Sequence, residues 1–226
     1  MIVDCEQGGS EWLQMRCGAV TASRMSDVLA KRKDKTEAAP RANYRKELVI
    51  ERLTGLTADH FVTKWMEEGT YNEPLARAAY ELATDSDVQP VGYCMHDSIK
   101  WFGGSPDSLV GADGLLEIKC PKSENHLDIL LAGVVPDEYK PQMLAEMACS
   151  GRQWVDFVSF DPRMPKHLQL FVRRFNRDEK AIEAMESEVK TFLAEVEYMM
   201  AVLQSGDLDA ILRRSVDLAT SGPSKG

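Results

Sequence analysis

Two acidic residues and a lysine stand out as groups whose types and spacing could do chemistry. The run Gly104-Ser105-Pro106-Asp107-Ser108-Leu109 is followed closely by Leu115-Leu116-Glu117-Ile118-Lys119-Cys120-Pro121. Side chains alternate faces along a strand, so Glu117 and Lys119 share one face and Leu116 and Ile118 the other. The apolar pair would anchor the strand in a core while the charged pair reaches into a cleft. Gly111 and Asp113-Gly114 read as a turn, and a hairpin there returns Asp107 toward Glu117. Two carboxylates and a lysine in a cleft suit metal-assisted hydrolysis of a phosphodiester. Mg²⁺ prefers oxygen ligands, polarises a phosphoryl oxygen and lowers the pKa of water. The lysine would position or deprotonate that water, or stabilise the charge that develops. The Ile118 carbonyl, between the two charged residues, is a further candidate ligand. By itself the pattern also fits a solvated hairpin with a Glu/Lys pair on its exposed face. Pro106 before the aspartate and the sharp strand end at Cys120-Pro121 favour the site.

The elements that must position these groups follow from periodicity and breakers. Thr21 to Ala30 reads as a short helix with Thr21 or Ser23 as N-cap, and Arg41 to Thr54 as a second, ended by Gly55. Glu68 to Ala83 is a third, with Leu75, Ala79 and Leu82 on one face. Strands are expected at Val91 to Met95, Ile99 to Phe102, Leu115 to Lys119, Trp154 to Phe160 and His167 to Phe175. Asp137 to Ser150 is helical. Asp178 to Leu203 is a long amphipathic helix whose Ile182, Met185, Val189, Phe192, Val196 and Met199 fall at helical spacing, as core or subunit interface. The order predicts an α/β (α+β) fold with a central mixed β-sheet flanked by helices. Asp34 to Pro40 reads as a loop and Ser221 to Gly226 as a frayed tail. With no convincing boundary, all 226 residues read as one domain.

Hydrophobic residues make up 44% of the chain and charged residues 28%, an ordinary globular balance. No apolar stretch approaches the roughly 18–20 residues that span a bilayer, and the N-terminus lacks signal-peptide features. Cys5, Cys17, Cys94, Cys120 and Cys149 are scattered without a C-x-x-C, which points to free thiols in a reducing cytoplasm. The net charge of −9 argues on its face against nucleic acid, but residues 1–60 carry +1 and the remainder −10. Basic groups gathered along one channel would still bind DNA, with metal ions offsetting carboxylates at the site. His60, His96, His126 and His167 show no ligand spacing and read as surface or packing residues.

Ser105-Pro106-Asp107…Glu117-Ile118-Lys119 resembles the active-site motif of the PD-(D/E)XK nuclease superfamily, and within it the phage λ exonuclease / YqaJ viral recombinase family. Four further segments resemble that family's motifs in the same order. They are Arg16-Cys17-Gly18-Ala19-Val20-Thr21-Ala22-Ser23, Glu68-Gly69-Thr70-Tyr71-Asn72-Glu73, Tyr139-Lys140-Pro141-Gln142 and Phe160-Asp161-Pro162-Arg163-Met164. The resemblance covers roughly residues 10–175 and is weaker over the helical region at about 176–218.

The resemblance implies a PD-(D/E)XK core and a metal-dependent 5′→3′ double-strand DNA exonuclease that leaves 3′ overhangs for recombination by strand annealing. Asp107, Glu117 and the Ile118 carbonyl would hold Mg²⁺, with Mn²⁺ a possible substitute, and Lys119 would be the catalytic lysine. Glu73 would orient water there or assist a second metal. Arg16, Thr21, Ser23 and Gln142 would form a pocket for a terminal 5′-phosphate, where a forked guanidinium, hydroxyls and a helix N-terminus are suitable donors. Ser23 also fits a simple N-cap, and Glu73 and Gln142 fit ordinary helix positions. Arg32, Lys33 and Lys64 are candidates for DNA backbone contacts; the basic run Lys31, Arg32, Lys33 and Lys35 also fits a solvated loop. Trp65 is expected in the core rather than wedged between bases. The family implies a ring-shaped homotrimer, a single-strand annealing protein as partner and a phage or prophage origin. Other readings are a non-catalytic DNA-end scaffold and an endonuclease on the same core. The intact Asp107, Glu117 and Lys119 argue against the scaffold, and the Arg16/Ser23/Gln142 set argues against the endonuclease.

Overall fold

The structure is a computed structural model that describes residues 1–33, 37–57 and 64–205, with side chains among these outside 64–70. Along the chain come β1 (Ile2–Val3), α1 (Ser10–Arg16), β2 (Val20–Thr21), α2 (Met25–Val28), α3 (Ala39–Thr54), α4 (Lys64–Thr84), β3 (Val88–Gln89), β4 (Tyr93–Met95), β5 (Phe102–Gly104), β6 (Ser108–Val110), β7 (Gly114–Lys119), α5 (Ser123–Ala132), α6 (Lys140–Ser150), β8 (Trp154–Phe160), β9 (Leu170–Asn176) and α7 (Glu179–Gln204). Among the described residues no helix is long and apolar enough to cross a membrane, and all five cysteines are free thiols.

The strands form two mixed sheets rather than one. The larger has the order β3-β6-β7-β8-β9 and the smaller β1-β4-β5-β2. In the larger, β7 and β8 run parallel, with Glu117 opposite Phe157, and the remaining neighbours are antiparallel. Leu116, Ile118 and Val158 pack on Ala76 and Tyr80 of α4. On the opposite face Leu115 and Phe157 meet Ile129 of α5, Met143 and Met147 of α6, and Ile182 of α7. A third core joins the smaller sheet, through Val20, Cys94 and Phe102, to Met25, Leu48, Val189 and Phe192 on α2, α3 and α7. Ala145 and Cys149 of α6 belong to it as well. The middle helix α6 thus serves two cores and has little solvent face from Met143 to Cys149.

Several boundaries differ from the sequence expectations for identifiable reasons. Thr21 is not a helix residue. With Val20 it forms a short strand parallel to β5, and a tight turn at Ala22–Arg24 precedes α2. On α4 the inward face is Ala76 and Tyr80, whereas Leu75 and Leu82 are exposed, Leu82 by 88%. Small Ala76 lets the helix approach the sheet, and Tyr80 donates its hydroxyl to Asp156 at 2.8 Å. That polar link, rather than leucine burial, sets the rotation of the helix. Residues 99–101 form a turn, with Ser98 and Ile99 amides donating to the His96 ring and Trp101 at φ 64°, so the strand starts at Phe102. His167 lies in a short turn before β9. Helices α1 and α5 were not anticipated; α5 ends where Gly133 turns left-handed. The predicted helix at 178–203 is present, and the Asp178 side chain caps it by accepting from Ala181 N at 3.0 Å. Residues 206–226, which include the expected tail at 221–226, lie outside the described residues.

Candidate active site

The β6–β7 hairpin delivers the first groups. Gly111 takes φ 51° in its turn, and Arg152 braces the loop by donating to the carbonyls of Gly111 at 2.9 Å and Gly114 at 2.7 Å. Gly114 must lack a side chain, since a Cβ there would come within 2.1 Å of the Trp154 ring. Just before β6, the Asp107 amide donates to the Leu116 carbonyl at 3.1 Å, and one Asp107 carboxylate oxygen accepts from the Ile118 amide at 2.6 Å. Asp107 is therefore tied to β7 by backbone and side chain alike. As the alternation requires, Leu116 and Ile118 are core residues, while Glu117 and Lys119 emerge on the α6 side.

There, Glu117 Oε1 accepts from Lys119 Nζ at 2.5 Å and from Gln142 Nε2 at 2.6 Å. Gln142 Oε1 lies 3.3 Å from Lys119 Nζ, and Gln142 Nε2 also donates to Glu146 Oε1 at 2.8 Å. Glu73 approaches from α4, on the other side of the sheet. It pairs with Arg77 at 2.6 Å, and Arg77 reaches Ser108 Oγ at 3.0 Å and the Asp107 carbonyl at 3.3 Å. Loss of water raises the Asp107 carboxyl well above the usual carboxylate range, and the neighbouring charges of Glu117 and Glu73 add to it. Desolvation pulls on Lys119 in the opposite sense, but Glu117 and Asp107 outweigh it and raise the lysine above its ordinary value. Negative charge is thus in excess at this point of the molecule.

The donor set fits a hard divalent cation. Glu117 Oε2 is buried and among the described residues accepts no hydrogen bond, and carboxylate and carbonyl oxygens are the ligands Mg²⁺ and Mn²⁺ accept. Among the described residues no three His, Cys, Asp or Glu side chains close around one point. A set of two carboxylates and the Ile118 carbonyl does not need such a cage.

Arg16, Thr21 and Ser23 line a separate cavity of about 240 Å³ with Trp12, Arg24, Tyr44, Glu47 and Glu51. The Arg16 guanidinium lies 4.1 Å over the Trp12 ring, and among the described residues it has no ion-pair partner. Burial lowers its pKa from the usual arginine value. Arg24, by contrast, is neutralised by Asp27 at 2.5 Å and Glu47 at 2.9 Å. The hydroxyls of Thr21 and Ser23 are 3.4 Å apart. A second cavity, of about 660 Å³, is lined by Glu73, Arg77, Asp107 and again Trp12. Trp12 therefore stands between the arginine pocket and the carboxylates, fixed by its indole N–H on Ser105 Oγ at 2.8 Å. Gln142 does not line the arginine pocket; it sits with Glu117 and Lys119. Arg32 and Lys33 are exposed at a turn. The side chains of Lys64 and Trp65, together with His60 and Lys35, lie outside the described residues. Sequence reasoning did not single out Trp12, Arg77 or Glu146. Trp12 and Arg77 lie one helical turn from Arg16 and Glu73, which is the only local signal pointing to them.

A family model described as the YqaJ-like viral recombinase domain matches residues 11–153. Two crystal structures of LHK-Exo, an alkaline exonuclease from Laribacter hongkongensis, one of them in complex with dAMP, each match with a TM-score of 0.82 and 44% identity, covering 89% of this chain and 100% of theirs. A phage-related exonuclease from Haemophilus somnus matches with a TM-score of 0.62 at 15% identity, covering 82% of this chain and 96% of its own, a likeness of fold alone. No curated protein matches the chain.

Proposed function

Since this chain belongs to the YqaJ-like viral recombinase family, on the λ exonuclease branch of the PD-(D/E)XK nucleases, we propose that it is a metal-dependent exonuclease acting 5′→3′ on double-stranded DNA ends and leaving 3′ single-strand overhangs for recombination by annealing. The observation that carries this reading is the pairing of two chemistries across Trp12. Arg16, which has no ion-pair partner among the described residues, lies with two hydroxyls on one side, and the Asp107 and Glu73 carboxylates lie on the other. A terminal phosphate suits the first pocket, and the next phosphodiester would then fall toward the second. An internal phosphate has no free end to place there, so the arrangement favours ends.

A divalent ion held by Asp107, Glu117 and the Ile118 carbonyl, Mg²⁺ in the first instance with Mn²⁺ able to substitute, would supply Lewis acidity toward the phosphate and make water a better nucleophile. The protein's own groups do the rest. Glu117 and Asp107 hold Lys119 as a cation, placed to offset negative charge that grows on the phosphoryl oxygens as water oxygen adds to phosphorus and the bond to the 3′ oxygen breaks. Gln142 holds Glu117 and Lys119 together. Glu73, pinned by Arg77, is the carboxylate available to orient water or a second ion. Arg16, Thr21 and Ser23 anchor the strand, while Arg32, Lys33 and Lys64 are the backbone-contact candidates. The product class, a nucleoside 5′-monophosphate, is the class of ligand seen with LHK-Exo.

By the same family reading the enzyme works as a ring-shaped homotrimer around duplex DNA, in the cytoplasm of a bacterial host, with a single-strand annealing protein as partner and a phage or prophage as its source. The test is digestion, with Mg²⁺, of linear duplexes bearing a 5′-phosphate or a 5′-hydroxyl and of closed circles, with Lys119→Ala in parallel. Consumption of linear DNA alone, faster with the 5′-phosphate and absent in the variant, is expected. Cutting of circles would overturn the end-recognition reading, and end binding without cleavage would overturn the nuclease itself.

A further inference from the structure

Glu146 is a fully buried glutamate for which the reaction as drawn above has no use. It projects from the middle of α6, between the core of the larger sheet and that of the smaller one. Its Oε1 accepts from Gln142 Nε2 at 2.8 Å and its Oε2 has no hydrogen-bond partner among the described residues. A Cβ added at Gly104 would stand 3.4 Å from the Glu146 Cγ, so β5 packs closely over the side chain. Burying a carboxylate this deeply is costly unless something requires it.

The geometry of Gln142 supplies the requirement. Its amide has two donors and one acceptor side. Nε2 donates to Glu117 and to Glu146, and Oε1 faces the Lys119 ammonium. Reversing the amide would set its carbonyl oxygen against two carboxylates and its N–H groups against a cation. Glu117 alone leaves the second N–H and the side-chain torsions free; Glu146 takes that N–H from a direction fixed by the helix core.

We propose that Glu146 is a positioning residue: it locks the orientation of the Gln142 amide, and through it sets the spacing of Glu117 and Lys119. This rests on the reading of Asp107, Glu117 and Lys119 as the reacting centre. The requirement on residue 146 is a hydrogen-bond acceptor at that position. Glutamine, whose Oε1 can accept the same bond, therefore substitutes for it, and methionine, of similar length without an acceptor oxygen, does not.

Two readouts test it on the full-length protein. The first is the side-chain amide of Gln142 in ¹H–¹⁵N spectra of metal-free protein, assigned by its loss in Gln142→Leu. Both amide protons should be protected from solvent exchange in wild type and in Glu146→Gln, and exchange should accelerate in Glu146→Met. The second is steady-state cleavage of linear duplex with Mg²⁺. Glu146→Met should lose about 10–100-fold in kcat, the size found when outer supports of a metal site are removed, with KM within twofold, and Glu146→Gln should recover most of it. Unchanged Gln142 exchange in Glu146→Met, or a kcat within twofold of wild type, overturns the proposal. So does a Glu146→Gln variant as impaired as Glu146→Met. Should Glu146→Met not fold, Glu146→Ser, too short to reach Gln142, takes its place under the same criteria. If wild type cleaves no DNA, the nuclease reading falls, while the amide spectra still decide the role of Glu146.

Discussion

Glu117 and Asp156 are both buried carboxylates on neighbouring strands of the larger sheet, 2% and 4% exposed, yet they are treated differently at every oxygen. Asp156, on the α4 face, has both oxygens bonded: Oδ1 accepts from Arg174 at 2.8 Å, and Oδ2 from Arg174 at 2.9 Å and Tyr80 at 2.8 Å. Glu117, on the α6 face, crowds Lys119 and Gln142 onto one oxygen and leaves the other without a hydrogen bond. Asp156 meets a phenol and a guanidinium, whereas Glu117 has Asp107 and Glu146 as close electrostatic neighbours. A carboxylate that serves the fold is satisfied and neutralised. The carboxylate proposed for the chemistry is left with negative charge in excess, at a cost the surrounding packing must carry.

Glu117→Gln should break that difference most sharply. Loss of one charge from the cluster is expected to cost cleavage at least the roughly 10²–10³-fold seen when a single transition-state stabilising group is removed. The melting temperature should stay the same or rise; a normal rate would remove Glu117 from the site. Next in size is the response to metal. Mg²⁺ at about 100 times its Kd should stabilise wild type by about 2.7 kcal/mol, read as a rise in melting temperature that EDTA reverses and Glu117→Gln abolishes. Asp156→Asn should do the converse of Glu117→Gln. It offers an N–H where Arg174 and Tyr80 also donate, so about 1–3 kcal/mol of stability should be lost with cleavage at 25 °C intact. A loss of activity without a loss of stability would place Asp156 in the site instead.

The smallest expected effect is on acid stability, through another fully paired cluster. Arg41 and Arg45 of α3 hold Glu37 and Glu195. Bonds from Arg45 and Arg41 hold Glu37 below its ordinary 4.5. Burial opposes the same shift at Glu195, but the two arginines prevail. With folded pKa values depressed, the contribution is full above the ordinary glutamate value and is lost as pH falls through the lowered ones. Melting temperature should therefore drop below about pH 4.5, and Glu195→Gln should flatten the drop. An unchanged profile in that variant would show the strap between α3 and α7 to be idle.

What the sequence made legible is what depends on neighbours along one strand or one turn. The alternation from Leu115 to Lys119 gave the correct faces because period two leaves no other choice once Leu116 and Ile118 are buried. The helix start at Asp178 and the stop at Gly55 are equally local. The face of α4 was misread because its rotation answers to Asp156, far along the chain, and not to its own leucines. Trp101 interrupts an apparent strand because a turn closed by the His96 ring outweighs β-propensity there. Gln142 was expected with Arg16 but lies against Glu117 and Lys119. Which pocket a helix residue serves depends on the packing of α6 between two sheets, which carries no mark at residue 142 itself.

The double burial of α6 bears on when the protein becomes dangerous to DNA. The hairpin that bears Asp107, Glu117 and Lys119 is synthesised before its parallel neighbour β8 and before the helix carrying Gln142 and Glu146. Parallel pairing across such a connection closes late and slowly. A chain still emerging from the ribosome therefore holds the proposed reactive residues without the scaffold that aligns them, and cutting competence should appear only once both cores have closed.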